Sequence, residues 1–121
     1  MPATSLLGEW RELTARHARV TAALEKELQR RHGLSVTELE ALHLLSETDA
    51  DGCRLQKLVE DVHMSQSALS RLIARLEAEG LVLRKTCDND RRGVFACLTP
   101  AGRERLAEAL PTQDEVLRST L

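Results

Sequence analysis

Aromatic side chains are almost absent: 121 residues hold one tryptophan, Trp10, one phenylalanine, Phe95, and no tyrosine. Two rings cannot build a stacking box, so nothing aromatic identifies a flat ligand or cofactor. The three cysteines, Cys53, Cys87 and Cys97, are odd in number and unequally spaced, which excludes a disulfide framework and paired zinc-ligand motifs. His17, His32, His43 and His63 form no His-x-x-x-His pair, so neither a metal nor a cofactor is expected. Long apolar runs are missing, and the first ten residues lack the basic start and apolar stretch of a secretory leader. No membrane partner is expected, and the expected compartment is the cytoplasm. A nucleophile paired with a base and a glycine-rich phosphate loop are also lacking, which argues against an enzyme.

What is present fits one compact domain over residues 1–121, with 42% apolar and 30% charged residues. The net charge of −2 offers no overall pull toward a polyanion. The charge is segregated, however. Glu9, Glu12, Glu25, Glu27, Glu38 and Glu40 load the first third, whereas Arg71, Arg75, Arg84, Lys85, Arg91 and Arg92 face only Glu77, Glu79, Asp88 and Asp90 further along.

Apolar spacing predicts five helices and a hairpin. Leu6, Trp10, Leu13, Val20, Leu24 and Leu28 recur at helical steps, with His17 continuing the stripe. Ser35-Val36-Thr37-Glu38 is a capping box that starts a second helix at Val36, ending near Glu47. After the turn-rich segment 49–52, Leu55, Leu58, Val59 and Val62 make a short third helix. Ser65 caps a fourth, with Leu69, Leu72, Ile73 and Leu76 on one side and Gly80 closing it. Residues 81–86 and 94–98 read as strands joined by a polar connection over 87–93. Thr99-Pro100 starts a last helix, which Pro111 is expected to kink.

Two short helices with a tight turn, followed by a basic hairpin, make a winged helix-turn-helix, whose second helix enters the major groove of DNA. The side of the fourth helix opposite its leucines carries Ser67, Ser70, Arg71 and Arg75, with Ser65 and Gln66 at its start. Short side chains there let the backbone approach the groove floor, and the polar ones can bond base edges or phosphates. At the hairpin tip Arg91 and Arg92 are candidates for the minor groove, with Asp90 orienting an arginine. Arg84 and Lys85 on the approaching strand are candidate phosphate contacts.

The run Leu69-Ser70-Arg71-Leu72-Ile73-Ala74-Arg75-Leu76-Glu77-Ala78-Glu79-Gly80-Leu81-Val82, with Asp90-Arg91-Arg92-Gly93 and Leu98-Thr99-Pro100-Ala101-Gly102, resembles the MarR family of bacterial regulators. The resemblance in helix order covers nearly the whole chain. It implies a mostly α (α+β) fold: a winged core over about 35–98 with a two-stranded wing, and dimerisation helices over about 5–31 and 99–121. It also implies a homodimer on a pseudo-palindromic double-stranded DNA operator, acting as a repressor released by a small-molecule effector or by oxidation. The chain departs from the pattern at His63, where relatives often have glycine in the turn; histidine tolerates the left-handed region better than most residues. It departs again at Cys87-Asp88, where many relatives have Asp-Pro.

Leu6, Trp10, Leu13, Leu106, Leu110 and Leu117 lie on long terminal helices that so short a chain has little means to cover, and are assigned to the dimer interface. Cys97 reads as a small buried hydrophobe, whereas Cys87, near several bases, is the candidate redox thiol. Arg75 has an alternative, an ion pair with Glu79 on its own helix. The overall acidity also admits a second reading, a winged helix that docks protein and not DNA.

Overall fold

The computed structural model describes the backbone of residues 3–48, 52–87 and 90–121 and the side chains of 5–48, 52–85 and 94–121. The elements run α1 (Ala3–His32), α2 (Val36–Ser46), β1 (Cys53–Arg54), α3 (Leu55–Val62), α4 (Gln66–Ala78), β2 (Val82–Cys87), β3 (Asp90–Leu98) and α5 (Pro100–Thr120). The fold is a mostly helical winged helix-turn-helix, as the spacing implies.

Local chemistry sets the helix starts. Ser35 and Glu38 form the expected reciprocal capping box, Ser65 Oγ accepts from the Ala68 N–H, and Thr99 Oγ1 accepts from the Gly102 N–H ahead of a helix that opens on proline. Val36 N–H, a further free donor of α2, is taken by Glu25 Oε1 of α1 at 2.5 Å. Helix α4 ends in a Schellman motif: Leu81 N–H bonds Leu76 C=O at 3.0 Å and Gly80 N–H bonds Glu77 C=O at 2.9 Å. Gly80 sits there at φ +78°, a conformation that side chains resist.

Three strands, and not the expected two, form the sheet, in the order β1-β3-β2 with both pairings antiparallel. Strand β1 is only Cys53 and Arg54, opposite Ala96 and Phe95; two residues are too few to show a period of two. The polar connection contracts, because β2 reaches Cys87 and β3 begins at Asp90, with a break in register between Thr86 and Cys87. Ladder hydrogen bonds outweigh the polar composition of these residues. Asp88 and Asn89 lie outside the described residues, as do the side chains of Thr86, Cys87, Asp90, Arg91 and Arg92.

One apolar core joins α1 through its C-terminal half, α2, α3, α4, the inner sheet face and α5. The long stripe of α1 therefore divides: Val20, Leu24 and Leu28 are buried, whereas Leu6, Trp10 and Leu13 are 70%, 61% and 62% exposed. Polar ties bind the end of α1 to α5, with His32 Nε2 at 2.7 Å from Thr112 Oγ1 and Arg31 Nη1 at 3.2 Å from Glu115. Arg105 Nη1 donates to the His32 carbonyl oxygen at 2.9 Å. Helix α5 runs unbroken across Pro111, so the expected kink does not end it. Its start docks on the turn after α4, where Thr99 Oγ1 donates to Gly80 C=O at 2.6 Å and Thr99 N–H to Leu81 C=O at 3.1 Å.

Candidate nucleic-acid interface

Helices α3 and α4 meet through His63, Met64 and Ser65, with His63 at φ 58° and ψ 42° in the left-handed region. Its N–H donates to Val59 C=O at 3.1 Å, so the turn holds with histidine in place of glycine. From this turn α4 sends Leu69, Ile73 and Leu76 into the core and leaves Leu72 half-buried. Ser65, Gln66, Ser67, Arg71 and Arg75 stand exposed on the other side, with Ser70 half-buried between the two faces. Apolar residues at three- and four-residue steps must point one way when a helix lies on a core, which leaves the intervening residues outward. Arg71 has no hydrogen-bond or ion-pair partner among the described residues.

Arg75 departs from the local alternative. Its Nε lies 3.5 Å from Oε2 of Glu38 on α2, and not against Glu79 on its own helix. Sequence reasoning treats Glu38 only as a cap, because 37 positions separate the pair in the chain and no local pattern signals it.

The base of the wing is fastened by a second residue missed in the sequence. Glu77, on the last turn of α4, accepts from Arg84 N–H at 3.2 Å and from Arg84 Nε at 3.0 Å. Strand β2 is a sheet edge, so its outward Arg84 N–H has no strand to bond, and the carboxylate supplies the acceptor. The Arg84 backbone bond foremost, then the guanidinium, hold the Glu77 carboxyl below the ordinary glutamate range. Arg84 thus approaches any phosphate already paired with a carboxylate, whereas Lys85 is exposed.

The clamp is testable. A pKa lowered in the folded state means that its contribution is complete above the ordinary glutamate range and is lost as pH falls through the native value. Glu77→Ala should speed hydrogen exchange at the Arg84 amide by roughly tenfold, the factor for one lost charge-assisted hydrogen bond, while amides of α2 keep their protection. Unchanged exchange at Arg84 would show that the wing base is held by other means.

On the outer sheet face Arg54 lies over the Phe95 ring, 5.4 Å from its centroid. Cys53 is buried, and desolvation pushes its thiol up, while Cys97 is only half-buried, more open than its apolar strand suggests. The residues assigned to a dimer interface fall into three environments. Leu6, Trp10 and Leu13 are exposed, Leu110 and Leu117 are half-buried against the core, and Leu106 is 5% exposed within it. Leu106 is therefore a residue of the chain's own core, because α5 lies against α1, α2 and the sheet. Among the described residues no cluster of His, Cys, Asp and Glu could hold a metal ion, and no helix is long and apolar enough to cross a membrane.

The model of the MarR family matches residues 34–94, half of the chain, from the cap of α2 into β3. The crystal structure of AbsC, a MarR family transcriptional regulator from Streptomyces coelicolor, superposes with a TM-score of 0.89 at 35% identity, covering 100% of this chain and 80% of that one. The chain belongs to the MarR family. Sco3205, another MarR family regulator of S. coelicolor, was solved in complex with DNA; it gives a TM-score of 0.92 at 30% identity, covering 100% of this chain and 75% of that one. In sequence, this MarR-family chain is 35% identical over 68 residues to the transcriptional regulator HosA of Escherichia coli, covering 56% of this chain and 50% of HosA. It spans about half the length of the curated relatives it matches.

Proposed function

We propose that this MarR-family protein is a cytoplasmic, homodimeric regulator of transcription that binds double-stranded operator DNA sequence-specifically and represses by covering a promoter. The observation that carries the reading is the outward face of α4, where Gln66, Ser67, Arg71 and Arg75 stand clear of the core beside a wing base clamped by Glu77. Small residues on that face allow close approach to the major groove, and Arg71, without a partner among the described residues, can take a guanine edge in bidentate fashion. The wing, with Asp90, Arg91 and Arg92, is assigned to the adjacent minor groove.

The dimer rests on the ridge of Leu6, Trp10 and Leu13, each more than half exposed in the single chain. An isologous pairing along α1, with α5 alongside, would set two copies of α4 about one DNA turn apart. An open groove of about 280 Å³ beside this ridge, lined by Leu13, Arg16, His17, Val20 and Leu121, supports a small-molecule effector.

Selection of bound duplexes from a random library, with the mass of the complex measured, tests partner class and stoichiometry together. A pseudo-palindromic site bound by two chains is the expected result, with affinity that falls steeply as salt rises. Arg71→Ala should weaken the selected site by about 1–3 kcal/mol and relax preference at one base pair per half-site. If no duplex is enriched, or if Arg71→Ala binds as the parent does, the reading of α4 fails and a protein-docking winged helix takes its place.

A further inference from the structure

A groove of about 220 Å³ runs between the start of α2 and the outer flank of α4, lined by Ser35, Thr37, Glu38, Arg71, Leu72 and Arg75. Glu38 is its anomaly. The side chain is 2% exposed, and its two carboxylate oxygens have unequal environments. Oε1 accepts from the Ser35 N–H at 2.7 Å, which completes the capping box. Oε2 is buried with no hydrogen-bond partner among the described residues. Its nearby cation is Arg75, whose Nε stands at 3.5 Å, beyond a good hydrogen bond, while the arginine side chain remains 61% exposed.

A capping box asks for glutamate or glutamine equally, since only one side-chain oxygen is used. A buried carboxylate with one oxygen left bare is costly compared with the neutral amide of the same shape. The cap therefore does not account for the charge. What the charge adds is a fixed point for Arg75: it draws the guanidinium by its ε edge toward α2 and limits where the rest of the fork can go. An arginine already held in place loses less freedom when it takes up an anion, and its planar fork suits a phosphate. With Arg71 alongside, the groove carries two guanidinium groups against one carboxylate, so an anion is still attracted.

We propose that Glu38, on a helix outside the helix-turn-helix, is a positioning residue that holds Arg75 for a backbone phosphate of the DNA alongside α4. This rests on the reading of the protein as a binder of duplex DNA. It ties the register of the recognition helix on DNA to the start of α2. Part of the affinity is thereby assigned to a residue that never touches the nucleic acid.

The test is a double-mutant cycle on a selected duplex, with affinity measured as a function of salt for the parent, Glu38→Gln, Arg75→Ala and the double variant. Glutamine keeps the cap, because its amide oxygen still accepts from Ser35 N–H, so the melting temperature should not fall. Each single variant should bind about tenfold more weakly, the loss expected for one charge-assisted contact. The slope of log K against log salt should flatten by about 0.9 for each phosphate released. The double variant should be no weaker than Arg75→Ala alone. Arg75→Lys, an exposed change that keeps the charge but not the fork, should also bind more weakly, which keeps the test open if Glu38→Gln folds poorly.

Parental affinity and slope in Glu38→Gln, a multiplied effect in the double variant, or parental binding by Arg75→Lys would each overturn the proposal. A melting temperature that falls while the salt slope holds would make Glu38 merely structural. If the parent binds no duplex at all, the DNA reading fails and this inference with it; if the parent binds and Glu38→Gln matches it, only this inference fails.

Discussion

Gly102→Ala is expected to destabilise the protein by about 2 kcal/mol or more, although alanine is the better helix former by about 1 kcal/mol. Gly102 lies in the first turn of α5, where that helix seats on the turn after α4. A Cβ built there stands 2.1 Å from the Leu81 carbonyl oxygen, 3.0 Å from its carbon and 3.1 Å from Leu98 Cδ2. The nearest obstacle is backbone and cannot rotate away. Relief requires α5 to lift from the Gly80–Leu81 turn, which breaks the 2.6 Å bond from Thr99 Oγ1 to Gly80 C=O and the 3.1 Å bond from Thr99 N–H to Leu81 C=O. Overpacking of this kind costs about 1–3 kcal/mol or more in proteins generally, and the lost hydrogen bonds add to it. A melting temperature lower by roughly 5–10 °C would follow for a chain of this size. Gly8→Ala supplies the control of opposite sign, because nothing lies within 4 Å of its added Cβ. On α1 the same substitution should be neutral or stabilise by up to about 1 kcal/mol. Equal melting temperatures for Gly102→Ala and the parent would show that the contact yields easily.

A second large effect is expected at the proposed interface between copies. Trp10→Glu combined with Leu13→Glu should convert a dimer to a monomer at micromolar concentration, as read by sedimentation velocity. Both side chains are more than half exposed in the single chain, so the substitutions remove little of its own core and far-ultraviolet circular dichroism should stay the same. In an isologous dimer each change is made twice, and each loses a large buried apolar group worth about 1.5–3 kcal/mol. A carboxylate left without a partner in an apolar interface adds a further penalty. The combined loss exceeds about 4 kcal/mol, or roughly a thousandfold in the dissociation constant. Operator binding should weaken with it, since two linked recognition helices no longer act from one particle. A variant that remains dimeric, or a parent that is monomeric, would remove α1 from the interface.

These two sites differ in how visible they are before folding. The glycine of Leu98-Thr99-Pro100-Ala101-Gly102 can be marked as part of a family pattern, but its reason is the Leu81 carbonyl, twenty-one positions away and brought close only by docking of α5. The α1 stripe is plain from its spacing, yet spacing alone assigns Leu6 and Leu106 the same role. One stands 70% exposed and the other is 5% exposed in the chain's own core. Periodicity states that a face is apolar; it does not state what covers it.

Residues that act within about four positions were set by the chain itself: the caps at Ser35, Ser65 and Thr99, the left-handed Gly80, and the split of α4 into leucines on one side and serines and arginines on the other. Their partners are neighbours in the chain, so the side-chain chemistry alone dictates the geometry. Tertiary packing decided the rest: the short strand β1, the burial of Leu106, the fastening of Arg84 by Glu77 and the approach of Arg75 to Glu38. Each of these joins groups that separate elements bring together, and an attraction between charges or apolar faces has no preferred partner until the core fixes which surfaces meet.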